Sequence, residues 1–266
     1  MAERRNDNHT LDALRFNGAP VIVTGAGAGI GRACCEVLAD LQAKVIGVDF
    51  NAEILSSIKD GETYGENAEA HVADVSSEES IKELVAKISK DHGSVAAVIN
   101  VAGTNDNTSF KVLKLEQWNK ILATNLTSVF VMTREFLPLV QSSRGSFVNI
   151  ASTYGWVGVR NNTSYCASKA GVINLTRQIA TEVGGSGVRV NSVCPGPTLT
   201  PRRQRSFDEG RSNRQEAEQR TLLGRMASPA EIARVAVFLA SNAASYVTGA
   251  SFVVDGGQLA FIGPHD

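Results

Sequence analysis

Seven short β-branched runs punctuate the chain: PVIVTG (20–25), KVIGVDF (44–50), AEAHVADV (68–75), VAAVINVAG (95–103), GSFVNIAS (145–152), VRVNSVCPG (188–196) and SFVVDGG (251–257). Each is apolar nearly throughout rather than alternating, the pattern of parallel strands covered on both faces. Helix-period stretches lie between them, at about 30–41, 52–59, 77–91, 115–140, 163–183 and 228–242. Two helix starts are marked by capping signals. Ser228-Pro229-Ala230-Glu231 places Ser at the N-cap, Pro at the first position and Glu at the third, and Ser76 with Glu79 repeats the Ser/Glu spacing. Strand–helix alternation of this kind predicts an α/β fold of Rossmann type: a doubly wound sheet of about seven parallel strands with helices on both faces.

A chain of 266 residues fits one large domain of this sort, taken as 17–266, behind a mobile tail at 1–16 and with a polar, Arg-rich lid segment at 201–227. With 26 basic and 27 acidic side chains the formal charge is −1, which argues against a nucleic-acid partner held by phosphate neutralisation. No apolar run reaches membrane-spanning length, and the opening MAERRNDNHT lacks the apolar core of a signal peptide. The expectation is a soluble cytoplasmic protein acting on a small molecule, with no membrane partner. Cysteines at 34, 35, 166 and 194 and histidines at 9, 71, 92 and 265 show no metal-ligand spacing, so the thiols are read as reduced and structural and no metal is expected.

In an open parallel sheet, ligands bind beyond the carboxyl ends of the strands. The segment TGAGAGIG (24–31) falls between the first strand and first helix, where backbone amides and the helix dipole seat a pyrophosphate. Gly25 permits the tight turn, Gly29 and Gly31 permit close approach, and Ala28 and Ile30 complete the contact surface. Asp49 ends the second strand, where its carboxylate would accept the ribose hydroxyls of NAD. Ala28 and Phe50 supply no cation for a 2′-phosphate, so NAD is expected in preference to NADP. The bland reading is that Asp49 caps the next helix together with Asn51.

Together, TGAGAGIG, Asp74-Val75, Asn100-Val101-Ala102-Gly103, Asn125, Ser152, Tyr165-Cys166-Ala167-Ser168-Lys169, Pro195-Gly196 and VTGASFVVDGG (247–257) resemble the short-chain dehydrogenase/reductases, over about residues 17–258. Val101 departs from the family, which commonly has a second Asn there. The resemblance implies that Asp74 and Val75 meet the adenine. It also implies that Asn100, Ala102 and Gly103 line the ribose, and that Thr198 and Thr200, after Pro195 and Gly196, hold the carboxamide and phosphates. Asp74 as a turn residue and Thr200 as a helix cap are the duller readings. A homotetramer is implied as well.

Tyr165 and Lys169 are four apart on one helix face. An ammonium about 4 Å from a phenol favours the phenolate by about 4 kcal/mol at an effective dielectric of 20, so Lys169 is expected to lower the Tyr165 pKa toward neutrality. Ser152 would hold the substrate oxygen. By resemblance, Lys169 also binds the nicotinamide ribose and Asn125 supports a proton-relaying water. Asn125, Ser152, Tyr165 and Lys169 are thus the expected catalytic set of an NAD(P)-linked oxidoreductase, with Tyr165 as general acid/base between a secondary alcohol and its ketone. Three identities stay open: a small alcohol or polyol dehydrogenase, a 3-oxoacyl-thioester reductase of fatty-acid synthesis, and a non-catalytic NAD-binding protein. The seven arginines of 201–225 either close over an anionic group or point outward on a solvated helix pair. Trp156 either walls the substrate cleft or sits at an interface.

Overall fold

The computed structural model describes residues 11–55, 64 and 68–260. Its strands are β1 (Pro20–Thr24), β2 (Lys44–Asp49), β3 (Glu69–Val72), β4 (Ala97–Asn100), β5 (Ser146–Ile150), β6 (Arg189–Pro195) and β7 (Ser251–Val254). All pairings are parallel, in the order β3-β2-β1-β4-β5-β6-β7. The helices are α1 (Gly29–Asp40), α2 (Ala52–Leu55), α3 (Glu78–His92), α4 (Leu115–Leu122), α5 (Ser128–Ser142), α6 (Thr163–Val183), α7 (Pro201–Asp208), α8 (Arg214–Glu218) and α9 (Pro229–Ala240).

Strand pleating explains why the runs are continuously apolar. In β1, Val21 and Val23 join the core shared with α1 and α9, while Ile22 between them joins the core under α3 and α5. The same division separates Ile99 from Val98 in β4 and Val148 from Phe147 in β5. Both faces of the central strands are therefore covered, which is why the runs are apolar nearly throughout, with buried polar positions such as Asn100 and Asn149 paired to each other. Chain order reverses between β1 and β4, which leaves a crevice at the carboxyl edge of those two strands.

Ser228 and Glu231 form the expected capping box at the start of α9. At its other end the buried Arg189 guanidinium donates to the carbonyls of Leu239 (2.7 Å), Ala240 (3.3 Å) and Ser241 (2.9 Å), satisfying the last turn. The third helix starts one residue later than expected, because Ser77 rather than Ser76 accepts from the Ser80 amide. The expected tail at 1–16 is also shorter at its inner end. Phe16 is buried in the core, its amide donates to Leu41 O (3.0 Å), and Ala243 N donates to Ala13 O (3.0 Å). Residues 1–10 and part of the expected helix 52–59 lie outside the described residues. Within the described residues no helix is long and apolar enough to cross a membrane.

Candidate active site

The glycine turn is closed by contacts that only glycine permits. Gly25 and Gly29 have φ of 64° and 56°. A Cβ on Gly31 would overlap the Gly25 carbonyl, and one on Gly25 would lie 3.0 Å from Ala102 Cα. Ala28 caps α1 without any side-chain hydrogen bond, and no acidic residue stands in the first turn, so the helix presents its amides unscreened. Thr24, which sequence reasoning passed over, ties the two crevice strands together: its hydroxyl accepts from Val101 N (3.0 Å) and Ala102 N (3.1 Å).

Asp49 reaches this turn. One carboxylate oxygen accepts from Gly27 N (3.2 Å) and the other from Asn51 N (3.1 Å), while Asn51 caps α2 by accepting from Glu53 N (2.9 Å). Phe50 beside it is exposed. The glycine cradle and the open helix start fit the diphosphate of a nicotinamide dinucleotide. Other expected contacts are built differently from the simplest picture. Asp74 serves its turn, accepting from the Ser76 amide (2.9 Å) and hydroxyl (2.7 Å). The Asn100 side chain is buried and donates to Asn149 Oδ1 (2.9 Å), which leaves its own oxygen without a partner among the described residues. Thr200 does cap α7, accepting from Arg203 N (3.2 Å), and its methyl lies 3.3 Å from where a Gly29 Cβ would stand. Thr198 donates to Gly196 O (3.0 Å), just past Pro195. Val75 is nearly buried.

The four expected catalytic residues come from three elements, Tyr165 and Lys169 both from α6. Asn125 lies in a π-helical turn, Ala123–Thr127, that interrupts what the sequence pattern presents as one helix. Its amide donates to Thr104 O (2.9 Å) and Ser168 Oγ (3.1 Å) and accepts from Thr104 N (2.8 Å), clamping the loop beyond β4. Gly103 sits between Asn125 and Lys169, with its would-be Cβ 3.4 Å from Asn125 Oδ1 and 3.5 Å from Lys169 Nζ. Ser152 follows β5 and caps a short 3₁₀ turn, accepting from Tyr154 N (3.1 Å). It stands close enough to the Tyr165 phenol to pull its pKa downward.

The electrostatics correct one expectation. Lys169 is 4% exposed and donates to Ile150 O (2.7 Å), with Nζ 5.8 Å from the Tyr165 ring centre. Burial pushes its ammonium down to about 8. Burial likewise pushes the Tyr165 phenol above its ordinary value, against a downward pull from Ser152 and then from the Arg202 cation. The net shift of the phenol is therefore upward rather than toward neutrality, because desolvation outweighs the nearby charges and the Lys169 ammonium is turned to a backbone carbonyl.

The aromatic neighbour of Tyr165 is Tyr154, edge-on at 6.1 Å. Trp156 donates to Cys194 Sγ (3.4 Å) and lies under the Arg177 guanidinium (5.5 Å) on the flank of α6. The four cysteines are free, and burial raises the Cys34 thiol to about 12. His71 and His92, far apart in sequence, meet at one oxygen of Glu69, each at 3.2 Å.

Residues 25–258 match the family model described as enoyl-(acyl carrier protein) reductase. The chain is 36% identical to the 3-oxoacyl-[acyl-carrier-protein] reductase FabG of Thermotoga maritima, over 92% of this chain and 99% of that protein. It is 34% identical to the D-threitol dehydrogenase of Mycolicibacterium smegmatis, covering 92% and 94% respectively. The crystal structure of gox2181 superposes with a TM-score of 0.90 at 30% identity, covering 95% of this chain and all (100%) of that one.

Proposed function

The chain belongs to the short-chain dehydrogenase/reductase family of oxidoreductases acting on CH–OH groups with nicotinamide dinucleotides, and from that premise we propose that it interconverts a small secondary alcohol or polyol and its ketone using NAD. The observation that carries the cofactor preference is Asp49, whose carboxylate lies 3.2 Å from Gly27 N at the glycine turn. A 2′-phosphate there would meet a negative charge, with alanine and phenylalanine at positions 28 and 50.

Gly25, Ala28, Gly29, Ile30 and Gly31 would seat the diphosphate, and Asp49 and Phe50 the adenosine ribose. Asp74 and Val75 would border the adenine. The backbone of Asn100, Ala102 and Gly103 and the segment Pro195, Gly196, Thr198 and Thr200 would enclose the nicotinamide half, with Lys169 on its ribose. When bound, the nicotinamide supplies the hydride acceptor or donor. The protein's own work is proton transfer at the Tyr165 hydroxyl. In reduction the phenol gives its proton to the ketone oxygen, while in oxidation the phenolate takes the alcohol proton. Ser152 holds that oxygen by a hydrogen bond, and Asn125 keeps the β4 loop in place and supports a proton-relaying water beside Lys169. Because burial raises the Tyr165 pKa, the phenol favours reduction at neutral pH and oxidation gains with rising pH.

The test is a paired measurement of NADH and NADPH dissociation constants by fluorescence, with alcohol turnover followed in parallel. Wild type should favour NADH, and Asp49→Ser with Phe50→Arg should reverse the order. Tighter NADPH binding by wild type would overturn the Asp49 argument. Tyr165→Phe should lower kcat by roughly 10²- to 10⁴-fold and leave NADH binding in place. A second reading, reduction of 3-oxoacyl thioesters, is favoured by the 36% identity to the Thermotoga maritima enzyme, only two points above that to the threitol dehydrogenase. NADPH-linked turnover of an acetoacetyl thioester above that of any diol would select it. We also propose a cytoplasmic homotetramer with no nucleic-acid or membrane partner. Phe110, Val112 and Leu115 at the start of α4 and Phe130 on α5 leave apolar surface exposed and suited to self-association.

A further inference from the structure

The lid segment carries seven arginines, and the structure sorts them. Arg211 is paired with Glu209, Arg214 with Glu218 (2.9 Å) and Arg225 with Glu231 (2.7 Å). Arg203 folds back over the Phe207 ring at 5.3 Å. These four are engaged within the lid or by α9, whereas Arg205 and Arg220 are exposed and, like Arg202, without an ion pair among the described residues. Arg202 is set apart from Arg205 and Arg220 by its place at the start of α7, next to the Thr200 cap that rests on Gly29. It is exposed, and among the described residues no carboxylate or ring neutralises it.

Its place is set by the chain on either side. Residues 197–200 are held against the start of α9 by Leu199 N to Ala227 O (2.8 Å) and Ala227 N to Pro197 O (2.9 Å). Thr200 caps α7 and rests on Gly29. The second residue of α7 therefore stands near the glycine turn, within electrostatic reach of Tyr165 and Lys169. Beneath the dominant effect of burial, the Arg202 charge acts on both catalytic groups, pulling the Tyr165 phenol down and disfavouring the Lys169 ammonium. The site thus holds two cations, Lys169 and Arg202, and an oxidised nicotinamide adds a third positive charge. The nearest acidic side chain on the loop beyond β4, Asp106, is engaged by Ser164 at 3.2 Å on each oxygen, and Asp255 is engaged by the amides of Gly257 (2.8 Å) and Leu259 (2.7 Å).

We infer that Arg202 is a substrate-recognising residue, and that the natural substrate is a secondary alcohol or ketone bearing an anionic group (a carboxylate, phosphate or sulfonate) on the side facing α7. This narrows the dehydrogenase reading above and rests on it for turnover, though anion binding at Arg202 can be measured without turnover. A planar guanidinium with free N–H groups suits any of the three anions through paired hydrogen bonds.

The experiment has two parts. In the first, kcat/KM is measured for matched pairs: 3-hydroxybutyrate against 3-hydroxybutyramide, glycerol 3-phosphate against 1,2-propanediol, and 2-hydroxypropanesulfonate against 2-butanol. Wild type should prefer the charged member of at least one pair, and that pair identifies which anion is recognised. Arg202→Met should reduce the charged-to-neutral ratio by about 10- to 100-fold, mainly through KM, and Arg202→Lys should recover part of it. Because removing Arg202 also alters the pull on Tyr165, the ratio rather than the rate is the readout. In the second part, acetate, inorganic phosphate and methanesulfonate are titrated into the NADH-bound enzyme by calorimetry, with NADH affinity measured alongside. At least one should bind wild type and fail to bind Arg202→Met.

An unchanged ratio together with unchanged anion binding would overturn the inference. So would a loss confined to NADH affinity, which would assign Arg202 to the cofactor phosphates. Silence on every alcohol with Arg202-dependent anion binding intact would sink the dehydrogenase reading and leave the anion site standing.

Discussion

Lys169 is a buried cation whose ammonium reaches only a backbone carbonyl, and its stability signature follows from its charge. Burial lowers its pKa from 10.5 to about 8, so below pH 8 the folded state carries a charge that the unfolded chain solvates better. As pH rises from 8 to 10.5 the folded protein releases that proton first, and the destabilisation fades. Lys169→Met should therefore be more stable than wild type at pH 7, by about 1–3 kcal/mol after loss of the hydrogen bond to Ile150, while turnover collapses. Thermal denaturation at pH 7 and pH 9.5 checks this, because the gap in Tm should narrow at the higher pH; a constant gap would mean the charge is not what costs stability. Gly31→Ala tests the turn. Its methyl would overlap the Gly25 carbonyl, and backbone cannot move aside cheaply. A loss of about 1–3 kcal/mol is expected by denaturant titration, with NADH binding weakened at least as strongly as by Asp49→Ser.

At the scale of elements, Glu69 joins β3 to two neighbours. Its carboxylate meets Lys44 of β2 (3.0 Å), His71 of β3 and His92 at the end of α3. Burial raises its pKa, but the hydrogen bonds from Lys44, His71 and His92 together prevail and hold it at about 2. A carboxyl depressed in the folded state stabilises above its ordinary value of 4.5, and that stabilisation disappears as pH falls toward 2. Glu69→Gln should cost about 1–3 kcal/mol at pH 7, and wild type and variant should converge in urea titrations as pH falls below 4.5. Equal stabilities at pH 7 would show that the cluster is surface decoration. The residues of this cluster carry no sequence signal, since 69, 71 and 92 come together only when β3 pairs with β2 and α3 packs beneath. The π-helical turn at 123–127 is similarly silent in the apolar pattern, because a single wide turn of five residues inside a longer helix is too short to set a period of its own. By contrast, the Ser228–Glu231 capping box is a local hydrogen-bond exchange and was readable at its exact position.

For the molecule as a whole, the apolar side chains left outside at Phe110, Val112, Leu115 and Phe130 bear on assembly. Light scattering should return a mass of about 113 kDa, four times the 28.2 kDa chain. Phe110→Asp with Leu115→Glu should reduce it without unfolding the protein; a monomeric wild type would leave that surface without the proposed role. Both cores are built from alternate residues of the same strands, so assembly and folding draw on different side chains.

Local rules settled the fold from the sequence. Continuous apolar runs demand a sheet covered on both faces, helix-length stretches between them demand parallel crossovers, and glycines at 25, 29 and 31 have conformations or contacts that other residues do not allow. Tyr165 and Lys169 were legible as residues sharing a helix face and Ser152 as one following a strand, whereas Asn125 was marked only by the family resemblance. What depended on the folded chain was everything governed by burial and by distance through space. The direction of the Tyr165 and Lys169 pKa shifts, the turn of Trp156 toward α6, the engagement of the Asn100 side chain by Asn149 and the place of Arg202 beside the glycine turn are of this kind. A sequence lists the charges, but their solvation and their partners exist only after the strands have paired.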